Sequence, residues 1–132
     1  MSVRFMLDTD TVSFALRGQG GVGEQILTRR LSDLCISSVT LAELLYGAFR
    51  ARSARIERSI LAFVRGLEVM PFDEQCAVHY ARVATDLATR GEPIGELDTM
   101  IAAHALTLDL TLVTNNVRHF SRVPRLRVEN WA

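Results

Sequence analysis

Residues 34–49, LCISSVTLAELLYGAF, change their repeat partway through. Leu34, Cys35 and Ile36 make a short continuous apolar run that stops at Ser37, the pattern of a strand buried on both faces. From Leu41 the apolar residues recur at Leu44, Leu45, Ala48 and Phe49, the stripe of a helix with one face turned inward. A strand that feeds directly into a helix is half of a βαβ unit, and the flanking sequence repeats it. Upstream, residues 3–7 read as a strand stopping at Asp8, 11–17 as a helix, and 24–31 as another helix beyond the glycine-rich loop 18–23. Downstream, Ile56, Ile60, Phe63, Val64 and Leu67 mark a helix, and residues 68–70 a strand closed by Pro71. Residues 77–88 read as a long amphipathic helix, 91–95 as a loop by its glycines and proline, and 98–108 as a nearly all-apolar helix. The strands 111–114 and 126–128 finish the chain. The alternation predicts an α/β fold with a parallel sheet covered on both faces. In such sheets, ligands bind at the carboxyl ends of the strands, near the point where strand order reverses.

The chain has 132 residues, enough for one domain with one sizeable core. Apolar residues at 48% and charged residues at 23% exclude disorder. The longest near-apolar run, 100–108, is far short of the roughly 20 residues that span a membrane, and it contains His104. The opening MSVRFMLDTD brings aspartates straight after a short apolar run and is unlike a secretory leader. Cys35 and Cys76 are too few for a disulfide framework and lack metal-site spacing, so a reducing cytoplasm is the expected compartment. Fifteen acidic and fifteen basic residues cancel, leaving no global field to attract a polyanion. All fifteen basic residues are arginine, a bias that a GC-rich genome produces as readily as phosphate binding does. Arg50, Arg52, Arg55 and Arg58 cluster locally, as do Arg118, Arg122, Arg125 and Arg127; solvated faces have the same composition.

Four residues stand where a strand ends or a helix begins. Asp8 follows the first strand and would serve equally as a helix N-cap, although Asp10 could take the cap and free it. Glu43 lies three residues after Thr40, the spacing of a capping box, and points away from the Leu41/Leu44/Leu45 stripe. Asp98 shares a stripe with Ile101, Ala102 and Ala105, where a carboxylate is costly unless capped, protonated or bound to a cation. Asn116 follows the strand 111–114 and reads as a turn former or as a carbonyl ligand for a hard cation. If the acids converge, only a cation keeps them ionised together, and oxygen-only ligation suits Mg²⁺ or Mn²⁺. Other motifs fail on context. Gly18, Gly20 and Gly23 match G-x-G-x-x-G but follow a helix, a P-loop needs a lysine, and His79, His104 and His119 lack zinc spacing. His104, inside an apolar helix, reads as a satisfied core histidine.

Taken together, Leu7-Asp8-Thr9, Leu41-Ala42-Glu43-Leu44-Leu45-Tyr46-Gly47, residues 93–106 (PIGELDTMIAAHAL), residues 112–120 (LVTNNVRHF) and Val128-Glu129-Asn130-Trp131 resemble PIN-domain ribonucleases, closest to the VapC toxins of bacterial toxin–antitoxin pairs. The resemblance runs along the whole chain, with its motifs in order. It implies one PIN domain over residues 1–132, with about five parallel strands flanked by helices. It also implies an acidic Mg²⁺ site of Asp8, Glu43 and Asp98. The implied reaction is hydrolysis of an RNA phosphodiester by a metal-activated water, with tRNA as the substrate of several relatives. Implied partners are a second copy of the chain and a VapB-like antitoxin that covers the acidic site and alone contacts DNA. Two departures stand out. Asn116 occupies the place of a fourth acid, and His119 that of an acid before the phenylalanine, so one cation is expected, with Glu43 and Asn116 acting partly through water. Two other readings compete. Leu7-Asp8-Thr9-Asp10-Thr11-Val12 is similar to the phosphorylated motif of haloacid-dehalogenase-like phosphatases, which also want a later basic residue, usually lysine; this chain has none. A catalytically weakened RNA- or protein-binding module is the second.

Overall fold

The computed structural model describes residues 3–132. Met1 and Ser2, which the expected domain span and the leader reading both include, lie outside the described residues. The strands are β1 (Phe5–Leu7), β2 (Leu34–Ser37), β3 (Glu68–Met70), β4 (Thr111–Val113) and β5 (Val128–Glu129). The helices are α1 (Thr9–Leu16), α2 (Val22–Leu27), α3 (Ser38–Arg50), α4 (Ala54–Val64), α5 (Glu74–Thr89), α6 (Glu96–Leu108) and the single turn α7 (Val117–Phe120). The strands form one sheet in the order β3-β2-β1-β4-β5, every pair parallel. The chain steps from β1 outward through β2 and β3, then returns to the other side of β1 as β4. The reversal therefore falls between β1 and β4, and the crevice expected there opens directly beyond Leu7 and Val113.

The period of two decides which layer each strand residue joins. Phe5 and Leu7, with Leu34 and Ile36, pack under α1–α4 in a core that includes Val12, Leu44, Ile60 and Trp131. Met6 and Cys35 face the opposite way, toward Leu87, Ile101, Leu112 and Phe120 beneath α5 and α6. β1 and β2 are buried along their whole length, whereas β3 at the edge is not. The C-terminus folds back over the first layer. Gly20, at φ +69°, lets it in, since a Cβ there would stand 3.2 Å from Ala132 and 3.3 Å from Phe14.

His104 is a core histidine, as expected, but only half satisfied. Its Nδ1 lies 2.8 Å from the Ser37 hydroxyl, which also accepts the Val39 N–H as the cap of α3. Its Nε2 is buried with no partner among the described residues. Burial pushes the imidazole pKa down, against a weaker upward pull from Asp73. The folded-state pKa thus lies below the unfolded one, so this group's contribution is intact above about pH 6.5 and is lost as pH falls below it. Thermal unfolding followed between neutral and mildly acidic pH checks this: His104→Gln should flatten the acid-side decline relative to the parent, and an unchanged slope would refute it.

Candidate metal centre

Asp8 is the residue immediately beyond β1, and the structure makes it the cap of α1. Its Oδ1 accepts the Thr11 N–H at 2.8 Å, and its own N–H donates to the Val113 carbonyl at 3.0 Å. The Thr11 hydroxyl reaches the same carbonyl at 3.0 Å, so the first turn of α1 is laced to the end of β4. Of the two readings the sequence left open, the cap by Asp8 is therefore the one the structure has; Asp10 sits in the first turn, exposed. Asp8 itself is buried. Desolvation lifts its pKa to about 6, against hydrogen bonds from Thr114 and Thr11, while the nearby charge of Asp10 adds to the rise.

Glu43 comes from α3, which begins at Ser38 because Ser37, not Thr40, provides the cap. The capping box expected of Thr40 and Glu43 is thus absent, and the carboxylate is free for a tertiary contact. It accepts the Thr9 hydroxyl at 2.5 Å, joining α3 to the start of α1. Burial raises its pKa, the Thr9 bond lowers it, and the charges of Asp98 and Asp10 raise it again.

Asp98 lies in the first turn of α6, whose cap is Gly95 at φ +95°, with no side-chain capping bond. Asp98 therefore does not cap its helix. It is half-buried, its Oδ2 lies 3.2 Å from His119 Nε2, and its pKa is raised by burial, lowered by His119 and raised by Asp10.

These couplings show which residues meet. Asp10 presses on Asp8, Glu43 and Asp98 alike, and Asp98 presses on Glu43. Four carboxylates from three separate segments thus share one electrostatic neighbourhood at the end of the central strands. Among the described residues no three His, Cys, Asp or Glu side chains close into a single metal-holding group. Asn116 is exposed, precedes α7 without a side-chain capping bond, and donates its N–H to the Thr114 hydroxyl at 2.9 Å. Its neighbour Asn115 holds a buried Oδ1 with no partner among the described residues. Sequence reasoning took Asp10 only as a possible cap and His119 only as a departure from the family pattern, and it missed Thr9 and Thr114. The Asp8-Thr9-Asp10 triplet was a signal for Thr9 and Asp10, since both follow the same strand end.

Three concavities meet at Glu43, one of them an apolar hollow beside Tyr46, Leu97 and Met100. A cavity of about 370 Å³ is bounded by Glu43, Asp98 and the loop 94–97. A groove of about 610 Å³ runs from Thr9 and Glu43 past Ser13 and Ser59, with Arg17 and Arg55 on its walls. Of the two arginine clusters, the first sends Arg55 into this groove, while Arg50 lies against Tyr46. The second divides: Arg122 donates to the Pro93 carbonyl at 3.1 Å, whereas Arg125 and Arg127 line one cavity with Arg82 and His79, where Arg127 pairs with Asp109 at 3.0 Å. A polyanion lying along the groove would meet guanidinium groups beside a carboxylate cluster, an arrangement suited to holding a phosphodiester where a hard cation sits.

Comparison with known proteins agrees. The PIN domain family model matches residues 5–126. A protein of Salmonella typhimurium named tRNA(fMet)-specific endonuclease VapC is 38% identical over 98% of this chain and 98% of its own length. Ribonuclease VapC2 of Rickettsia felis is 35% identical over 96% and 97%. Among solved structures, DNA-bound VapBC from Salmonella typhimurium superposes with a TM-score of 0.88 at 40% identity, covering 98% of this chain and 99% of that one. VapBC2 from Rickettsia felis, bound to a DNA fragment from its promoter, gives 0.87 at 32% identity over 98% and 100%.

Proposed function

This chain belongs to the PIN-domain family, within its VapC group, and from that premise we propose that it is a Mg²⁺-dependent endoribonuclease, the toxin of a toxin–antitoxin pair, that hydrolyses tRNA. The observation that carries the reading is the acid cluster. Asp8, Glu43 and Asp98 are each pushed toward the neutral form by burial, and Asp10 pushes all three further. The mutual repulsion and burial of such a cluster are relieved by a compensating positive charge.

The donor set fits a hard divalent ion: the clustered acids offer oxygen and nothing softer. Mg²⁺ keeps several waters and needs only one or two protein carboxylates, which suits acids that are neighbours without forming a closed three-residue group. Asp8 and Asp98 would hold the ion, Glu43 and Asn116 partly through water, and Mn²⁺ would substitute. When bound, the cation supplies an activated water and offsets charge building on the phosphodiester. The chain's own residues set the rest. Thr11 and Thr114 fix Asp8, and the Thr9 hydroxyl fixes Glu43. Arg17 and Arg55 would bind phosphates along the groove beside the scissile one.

The names of the Salmonella and Shigella relatives support initiator tRNA as substrate. The DNA-bound VapBC structures support a VapB-like antitoxin that joins the toxin to its operator, with the toxin as a homodimer. Family membership favours this reading over the phosphatase. No described helix is long and apolar enough to cross a membrane. The test is cleavage of purified initiator tRNA, bulk tRNA and unstructured RNA with Mg²⁺, with Mn²⁺ and with excess EDTA. Cutting should stop in the chelator and return with either ion. Scission that persists in EDTA defeats the metal reading, and equal cutting of all three RNAs defeats the substrate assignment.

A further inference from the structure

His119 has no place in the reaction described so far, yet it touches the acid cluster directly. Its Nε2 lies 2.8 Å from the Ile94 carbonyl and 3.2 Å from Asp98 Oδ2. A carbonyl oxygen can only accept, so Nε2 must carry the proton, and one N–H is shared between the carbonyl and the carboxylate. The ring cannot swing freely. Phe120, itself buried, meets it edge-on at 5.7 Å with the planes 89° apart. A second bond braces the same loop, from Arg122 Nη1 to the Pro93 carbonyl at 3.1 Å. With no side-chain cap at the start of α6, these contacts from His119 and Arg122, with the buried Ile94 side chain, brace the loop that leads into Asp98.

We propose that His119 is a positioning residue for the cation site: its Nε2–H, anchored on the Ile94 carbonyl, fixes Asp98 Oδ2 and leaves the second oxygen for the ion. This rests on the metal reading above. A hydrogen bond from outside the ligand set orients a ligating carboxylate, and the loss of such a partner costs about 10–100-fold in metal affinity. A side chain that donates here has a different task from one that accepts. An acid at this position would compete for the ion; the imidazole N–H instead holds Asp98 in place.

The experiment measures Mn²⁺ uptake directly, from the loss of the free-ion electron paramagnetic resonance signal. The parent, His119→Ala, His119→Gln and Arg122→Ala are compared, with circular dichroism confirming that each is folded. His119→Ala is expected to weaken Mn²⁺ binding by about 10-fold or more. His119→Gln keeps an N–H donor and is expected to recover most of that loss. Arg122→Ala releases the loop's other brace without touching Asp98 and is expected to bind as the parent does. Parent-like binding by His119→Ala overturns the proposal while leaving the metal reading intact. So does an Arg122→Ala loss as large as that of His119→Ala, because the brace would then matter and the carboxylate bond would not. A Gln variant no better than the Ala variant overturns it as well. If the parent takes up no Mn²⁺, the metal reading fails first and the proposal falls with it.

Discussion

Asp8→Asn is expected to lower RNA cleavage by about 10³-fold, the several kcal/mol of transition-state stabilisation that a well-held cation supplies, and yet to give a protein that melts at a higher temperature. The two effects separate because Asp8 has two tasks. As the cap of α1 it offers an oxygen to the Thr11 N–H, and asparagine caps about as well as aspartate. As a buried anion it is a burden. Its pKa stands near 6 in the folded chain, well above the ordinary carboxylate value, so the ionised form costs the cation-free fold roughly 3 kcal/mol at neutral pH. The sign follows from the raised pKa: the group's contribution is complete below about pH 4 and is lost as pH rises through about 6. Asparagine never ionises, so the variant lacks that decline and should melt roughly 10 °C higher at neutral pH without added metal. Mg²⁺ should raise the parent's melting temperature by mass action and leave the variant's unchanged. Differential scanning fluorimetry with and without Mg²⁺, beside a cleavage assay on tRNA, checks every part. Retention of parental cleavage by a folded Asp8→Asn protein would falsify the assignment of Asp8 to the cation.

Trp131→Ala is expected to destabilise the chain by about 3–5 kcal/mol, the range for deleting a buried large aromatic. Trp131 is 6% exposed although it is the penultimate residue. It meets Phe5 of β1 edge-to-face at 5.2 Å, donates Nε1–H to Glu129 at 2.9 Å, and carries the Arg29 guanidinium over its face at 4.1 Å. The Arg29 Nε is buried with no hydrogen-bond partner among the described residues, and the aromatic face compensates it. Removing the indole leaves both a cavity beside β1 and a poorly accommodated cation. Trp131→Phe keeps a ring for Arg29 and should recover part of the loss. Urea unfolding by far-UV circular dichroism is the right measurement, because the chain has one tryptophan and the variant has none to fluoresce. A loss below about 1 kcal/mol would mean that the C-terminal segment is dispensable to the core.

The order of elements was legible wherever local pattern and tertiary burial agree. β2 and β3 have the bounds expected, 34–37 and 68–70, because each is a short apolar run with an abrupt stop at Ser37 or Pro71. Helix starts were less legible, because several oxygen-bearing side chains compete for one cap. α1 begins at Thr9 through Asp8 rather than Asp10, and α3 at Ser38 through Ser37 rather than Thr40. α2 begins at Val22 and runs through Gly23, where a loop was expected; burying Val22 and Ile26 in the first core outweighs the cost of a helical glycine. The last strand is displaced from 126–128 to Val128–Glu129 by its register against Leu112 and Val113 of β4. For the site, strand-end position pointed to Asp8, Glu43 and Asp98 one at a time. Their shared neighbourhood, the coupling through Asp10 and the His119 contact depend on strand order, which no local pattern encodes. Asn116 and Asn115 follow the same strand, and sequence alone could not show which would be exposed and which would bury an amide oxygen.

The sheet order has a consequence for synthesis on the ribosome. β1 is made first but sits at the centre, between β2 and β4. Asp8 and Glu43 leave the exit tunnel before Asp98, and Asp98 before β4. A nascent chain cannot bring its acids together piecemeal, because β4, which completes the crevice, is made after all three. A ribosome that stalls ahead of β4 leaves the acid cluster unassembled.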